Sequence, residues 1–306
     1  MYCIFITVMA VIDNIIKILP EELSNTLIRF ENSEDITELR LRVGTKFRVY
    51  LGKCEQEFDI CIKKQHLLNI LSNVSSNSIY SVQNDINKGY ITIYGGNRIG
   101  IAGEVVLIDG KVKNVKDISS MNIRVAHEYI GVSNKIMKDI LLDNKVKNTL
   151  IVSPPGLGKT TLLRDIIRNL SEAGYNICVI DERGEIAATH NGKPSLNIGY
   201  RTDVISFVDK ALGMQMAVRS MAPQVVCTDE IGGQEDVMAI KYLCKCGVSF
   251  ITTMHGNCLK DVLASGMKEI LDKGYLEAII ILSSKDGIGS VDKIYTNLNC
   301  KEEAIC

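Results

Sequence analysis

The stretch that most restricts what this chain can fold into is "TLIVSPPGLGKTTLLRD", Thr149 to Asp165. It places an apolar strand, a turn rich in Gly and Pro, and an amphipathic helix in immediate succession. Gly156 and Gly158 allow the backbone to turn its N–H groups inward around an anion. Lys159 and Thr160 complete the Gly-Lys-[Ser/Thr] ending of a phosphate-binding loop. The spacing predicts that Lys159 reaches the β- and γ-phosphates of a nucleotide, and that the Thr160 hydroxyl ligates Mg²⁺. A helix starting at Lys159 aims the positive end of its dipole at the same phosphates. The candidate nucleotide-binding set is Ser153, Pro154, Pro155, Gly156, Leu157, Gly158, Lys159, Thr160 and Thr161. Ser153 stands where such loops begin with Gly. The Pro-Pro pair after it sets φ on its own account, so the departure is expected to be tolerated.

Binding is only half of hydrolysis, which also requires metal support and an aligned water. "PQVVCTDEIGG" ends an apolar strand in Asp229 and Glu230. Asp229 is the second candidate Mg²⁺ ligand, and Glu230 is placed to orient or deprotonate the attacking water. "CVIDERGEIA" ends another strand in Asp181, Glu182 and Glu185, and "ITTMHGN" a third in His255. In a parallel sheet the carboxyl ends of the strands open onto the ligand crevice, so these groups should converge there. The spacing leaves the catalytic base open among Glu230, Glu182 and Glu185. His255 suits a coupling role at the γ-phosphate, although a lone His is commonly structural. Candidates for a charge-stabilising arginine are Arg40, Arg42, Arg98, Arg124 and Arg219.

Strands of buried type recur at "TLIVS", "NICVIDE", "QVVCTDE" and "VSFITTMH", with helical segments between them. That alternation predicts an α/β domain over residues 131–306, with a mostly parallel sheet and helices on both faces. Upstream the texture differs. In "ELRLRVG" Leu39, Leu41 and Val43 alternate with Arg40 and Arg42, and Phe47, Val49 and Leu51 form a second alternating run. Helices are expected over 63–74 and 78–88. "GYITIYGGNRIGIAGEVVLIDGKV" then reads as three strands joined by Gly-Gly-Asn and Asp-Gly turns. Residues 1–130 are therefore expected to form a smaller α+β domain with an antiparallel sheet.

The formal net charge of -1 and a 6% aromatic content leave little material for a nucleic-acid surface. The 10 Cys are scattered through apolar runs, as suits a reducing compartment. Cys244, Cys246, His255 and Cys258 do not have a usual zinc spacing, so no zinc site is expected. The apolar run "MYCIFITVMAVI" is too short to span a bilayer and has no basic flank. A cytoplasmic protein is expected.

Taken together, "SPPGLGKTTLLRD", "VIDERGEIA", "AVRSMAPQVVCTDEIGG" and "TTMHGN", with "ELRLRVG", "GGNRIGIAGEV" and "ISSMNIRVAHE", resemble the stage III sporulation protein AA family of endospore-forming bacteria. That family is similar to the traffic ATPases of type II and type IV secretion. The resemblance runs from about Leu19 to about Thr296. It implies a RecA-like ATPase domain behind a small α+β domain, homo-hexameric rings, and use of ATP with Mg²⁺. It further implies a cytoplasmic motor docked, on the mother-cell side, on integral-membrane components of a sporulation channel or secretion complex, with no nucleic-acid partner. The family's acidic box, its Walker B strand and its His box map onto Asp181–Glu185, Asp229-Glu230 and His255. Secretion ATPases usually carry Gly-Glu where this chain has Asp229-Glu230, which leaves the base open between Glu230 and the acidic box. The alternative class is a RecA-like ATPase acting on nucleic acid.

Overall fold

The computed structural model describes residues 12–31, 33–75, 86, 89–189, 192–285, 287–296 and 298. The apolar run before Ile12 lies outside them, as does the helix expected over 78–88 apart from Ile86. The chain divides into two compact units. One runs up to Glu128 and takes in a short segment ending at Ser195; the other holds Tyr129–Thr189 and the residues from Leu196 onward.

In the first unit α1 (Glu21–Ile28) precedes β1 (Glu38–Arg42), β2 (Lys46–Leu51) and β3 (Cys54–Cys61). Then follow α2 (Lys64–Val74), β4 (Tyr90–Thr92), β5 (Arg98–Ile108) and β6 (Lys111–Arg124). The six strands form an antiparallel sheet in the order β3-β2-β1-β6-β5-β4. Leu39, Leu41, Phe47 and Val49 are fully buried and share one core with Leu23 and Leu27 of α1 and Leu67 and Ile70 of α2. That is the inward face of the alternation. Val43, expected on the same face, is 41% exposed. β1 stops at Arg42, whose carbonyl accepts the Thr45 N–H in a turn that passes through Gly44 at φ 81°.

The second unit begins with α3 (Met137–Ile140) and the two-residue strands β7 (Leu141–Leu142) and β8 (Lys145–Val146). The chain continues through β9 (Thr149–Ser153), α4 (Lys159–Glu172), β10 (Ile177–Asp181), β11 (Thr202–Ser206), α5 (Lys210–Ser220) and β12 (Val225–Thr228). It ends through α6 (Gln234–Lys245), β13 (Ser249–His255), α7 (Leu259–Leu263), α8 (Met267–Asp272), β14 (Ala278–Leu282) and β15 (Val291–Thr296). Seven strands form one sheet in the order β11-β10-β12-β13-β9-β14-β15. All neighbours are parallel except β15, which returns antiparallel to β14.

Alternate residues of each central strand feed separate cores. Ile151 and Val179 pack with Leu162, Leu163 and Ile166 of α4, whereas Leu150, Val152 and Ile180 pack with Ile240 and Leu243 of α6. Both faces are covered, which is why these strands read as continuous apolar runs rather than alternating ones. Because β9, β10, β12, β13 and β14 are parallel, their carboxyl ends share one edge.

Candidate functional site

β9 delivers its last residue, Ser153, to that edge, and the loop from Ser153 to Gly158 curls into α4. Gly156 and Gly158 have φ values of 80° and 88°, the left-handed region that Gly enters without a Cβ clash. Ser153 does not enter that region, so the loop makes its exit from the strand without a Gly there. Its buried hydroxyl donates to the Pro154 carbonyl at 2.8 Å. Pro155 and Gly156 are exposed, whereas Pro154, Leu157, Thr160 and Thr161 are half-buried. Lys159 is only 6% exposed. Its Nζ donates to the Ser153 carbonyl at 2.9 Å and more weakly to that of Pro154 at 3.4 Å. Burial lowers the Lys159 pKa, with Glu230 opposing the shift. A buried ammonium at a helix N-terminus, held only by carbonyls, is a setting that an anion would complete.

β10 brings in the acidic box. Asp181 is fully buried and accepts the N–H groups of Glu185 at 2.8 Å, Ile186 at 3.2 Å and Ala187 at 2.9 Å, pinning the turn that carries Glu185. Arg164 of α4 grips the same turn, donating to the carbonyls of Ile186 at 2.6 Å and Glu185 at 2.7 Å. Glu182 forms an ion pair with Lys210, the buried first residue of α5.

β12 leads directly into Asp229 and Glu230. Asp229 is 4% exposed. Burial pushes its carboxyl up to about 6, Lys210 offsets part of that shift, and Asp181, Glu185 and Glu230 add to it. Asp181 at the end of β10 and Asp229 just beyond β12 lie at the ends of paired parallel strands, at the sheet's carboxyl edge. Glu230 has φ 31°, uncommon for a residue with a Cβ and of a kind that clusters at functional sites. It is held there from β13: the Glu230 N–H donates to Thr253 Oγ1 at 2.8 Å, and the Ile231 N–H to the Thr253 carbonyl at 2.9 Å. The Glu230 carboxylate is half-exposed, and Arg183 approaches it at 3.5 Å. His255 ends β13 in register with Ser153 and is exposed. With Asp261, Gly232 and Met254 it lines a cavity of about 230 Å³. Backbone N–H groups of Asn257 and Cys258 hold the Asp261 carboxyl below the ordinary range, and His255 adds to that effect.

Arg219 does not join this edge within one chain. α5 starts at the carboxyl edge with Lys210 and runs back toward the start of β12. Its last turn therefore leaves Arg219 in a groove between α5 and α6, beside Gln215, Gln234, Met238 and Tyr242. Arg40, Arg42, Arg98 and Arg124 belong to the first unit. There Arg40 pairs with Glu38 and lies 5.9 Å from the Tyr50 ring, and Arg98 lies 5.2 Å over Tyr90. Sequence reasoning missed Lys210, Thr253, Arg164 and Arg183. A signal existed for Lys210. Asp209 caps α5 through the Ala211 and Leu212 N–H groups, and a Lys in the first turn beside that cap opposes the helix dipole unless acidic partners face it.

Among the described residues, no group of three or more His, Cys, Asp or Glu is arranged to hold a metal unaided. The buried Asp229 carboxyl at the end of β12 and the half-buried Thr160 hydroxyl at the start of α4 are oxygen donors that fit a Mg²⁺ that keeps waters and takes its other oxygens from phosphates. No helix of the described residues is long and apolar enough to cross a membrane.

The fold resembles those of two solved proteins. The Legionella pneumophila ATPase DotB superposes with a TM-score of 0.58 at 13% identity, covering 90% of this chain and 80% of that one. The pilus retraction motor PilT with bound ADP gives 0.58 at 16% identity, covering 87% and 79%. In sequence, the stage III sporulation protein AA of Bacillus subtilis (strain 168) is 36% identical over 298 residues, spanning 92% of this chain and 94% of that protein. An uncharacterized protein, ycf45 of Porphyra purpurea, is 25% identical over 264 residues; these span 82% of this chain and 42% of that protein. The profile of the family described as Sporulation stage III, protein AA matches residues 10–301, so the chain, with its α+β unit and its α/β unit, belongs to that family.

Proposed function

We propose that this chain is an ATP-hydrolysing motor of the secretion-ATPase type that energises a membrane-embedded channel or secretion complex during endospore formation. The observation that carries the reading is the convergence, at one sheet edge, of the Lys159 loop, the Asp229-Glu230 pair, the acidic box and His255. The loop N–H groups and Lys159 bind the triphosphate, with Lys159 exchanging its carbonyl partners for phosphate oxygens. Thr160 and Asp229 would hold Mg²⁺, which would supply neutralisation of charge at the phosphates. Glu230 is the general base for the attacking water. Its accessible carboxylate and pinned backbone favour it, whereas Glu182 is committed to Lys210. Glu185 and His255 line the same edge as supporting groups, and Arg219 acts from a neighbouring subunit.

A homo-hexamer docked on integral-membrane components, cytoplasmic and on the mother-cell side, is the assembly that this reading implies. The test is Mg-ATP hydrolysis by the purified chain, with and without single-stranded DNA or RNA, with Lys159→Ala as the blank. Turnover that ignores nucleic acid and disappears in Lys159→Ala supports the motor reading. Wild-type turnover in that variant sinks the loop assignment, and strong stimulation by nucleic acid transfers the chain to the RecA-like nucleic-acid class.

A further inference from the structure

Phosphoryl transfer gains from positive charge beyond that of the phosphate loop, and a guanidinium is a common source. Most arginines of the second unit are placed for other work. Arg164 donates to the carbonyls of Glu185 and Ile186. Arg168 is buried against Asp165 and Glu172. Arg201 precedes β11, at the amino end of the sheet, and donates to Asn176 at 3.1 Å. Arg219 lies in the groove between α5 and α6. Arg183 remains. It stands just beyond the end of β10 with its side chain 63% exposed, and its Nη1 lies 3.5 Å from the Glu230 carboxylate. Its turn is fixed from both sides. The Asp181 carboxylate takes the N–H groups of Glu185, Ile186 and Ala187, and the Asp181 carbonyl takes that of Phe207 at 3.1 Å. Gly184, at φ 69°, lies so close to Phe207 that a methyl placed on it would meet the ring at 3.3 Å. The backbone of Arg183 is thus anchored at the carboxyl edge, while its long side chain reaches into solvent.

We propose that Arg183 is a catalytic residue supplied by the same chain: it leaves the Glu230 carboxylate for the γ-phosphoryl oxygens of ATP and stabilises the charge that develops on them. This rests on the ATPase reading with Glu230 as base. A base lies within about 3 Å of the water that it deprotonates, and that water lies within about 3.5 Å of the phosphorus that it attacks. A guanidinium that meets the Glu230 carboxylate is therefore one side-chain swing from the phosphoryl group. In the reaction the water oxygen bonds to the γ-phosphorus and Glu230 takes the water proton. The bond from that phosphorus to the β–γ bridging oxygen breaks, and ADP leaves. The γ-phosphoryl group offers the forked cation more negative charge than one carboxylate does, so the exchange is favourable. It also frees Glu230, because an ion pair occupies the lone pairs with which a base accepts its proton.

The test compares full-length wild type with Arg183→Gln by two measurements. One is steady-state Mg-ATP hydrolysis. The other is calorimetric affinity for ADP, alone and with aluminium fluoride, a mimic of the transferring phosphoryl group. Arg183→Gln is expected to lower kcat by about 10³-fold with KM little changed. It should bind ADP as wild type does and lose the gain in affinity that aluminium fluoride gives. An unchanged kcat in Arg183→Gln overturns the proposal, and so does a retained aluminium fluoride gain. An equal loss for ADP and its aluminium fluoride complex also overturns it, since Arg183 would then be only a brace for the turn. Faster hydrolysis does the same, because Arg183 would merely hold Glu230 back. Should wild type fail to bind ADP, or bind it without hydrolysing ATP, the ATPase reading itself fails, a result distinct from the loss of Arg183 alone.

Discussion

Single residues decide whether the loop and its acids work as a unit. Glu230 combines an accessible carboxylate with a backbone pinned in a strained region by Thr253. Glu230→Gln keeps the shape and removes the proposed base, so on that proposal hydrolysis should fall by about 10²-fold or more while ATP still binds. Glu182→Gln, which only releases Lys210, should cost less. The reverse order in a steady-state assay would move the base to the acidic box. Gly158 is constrained twice, by φ 88° and by the space that Ile288 and Gly289 occupy. Gly158→Ala should therefore cost about 1–3 kcal/mol of stability in denaturant titration and abolish nucleotide binding.

At the scale of elements, α4 is clamped from both sides. Arg164 holds the acidic-box turn on one flank. On the other, Asp165, only 4% exposed, accepts the N–H of Gly131 at 3.0 Å and both the N–H and the hydroxyl of Ser133 at 2.8 Å, and it pairs with Arg168. Burial alone would raise the Asp165 carboxyl, but these donors outweigh it and hold it below the ordinary value. Asp165→Ala should destabilise the chain by about 3 kcal/mol, since it leaves buried donors and part of a buried ion pair unmet. The sign with pH follows from the depressed folded value. The contribution is complete above the unfolded value of about 3.9 and is lost as pH falls through the lower folded one. The stability gap between wild type and Asp165→Asn should therefore be constant from neutral pH to about 5 and close only below about pH 4. A gap that closes near neutrality would mean that Asp165 is not held ionised.

At the scale of the whole molecule, two sheets of different character share one chain: an antiparallel one in the first unit and a parallel one that carries the site. Within one chain the carboxyl edge of the parallel sheet carries Glu230, Asp229 and the Lys159 loop, whereas Arg219 stays in the groove between α5 and α6. If the motor works as a ring whose sites are completed across subunits, wild type mixed one to one with Lys159→Ala should lose well over half of its specific activity. Strictly proportional loss would mean that each chain hydrolyses ATP alone. Mass measurement by light scattering in the presence of nucleotide shows directly whether six copies assemble.

Local pattern was enough for much of this. Two glycines flanked by a strand and a helix specify the loop, because φ > 0 and inward N–H groups are local properties. Apolar runs ending in acids specify a parallel sheet with its chemistry at one edge, because burial on both faces is written into each strand. Alternation specified the antiparallel unit, although the end of β1 at Arg42 escaped it, since a turn at Gly44 is set by hydrogen bonding rather than by polarity. Pairings across long sequence distances were decided only by the tertiary structure. These include Lys210 with Glu182, Thr253 with Glu230, Arg164 with the acidic-box turn, and the seating of Ile288 and Gly289 on the loop. No period in the sequence encodes which strands become neighbours, and that order puts the acids on one flank of the loop and the aliphatic turn on the other.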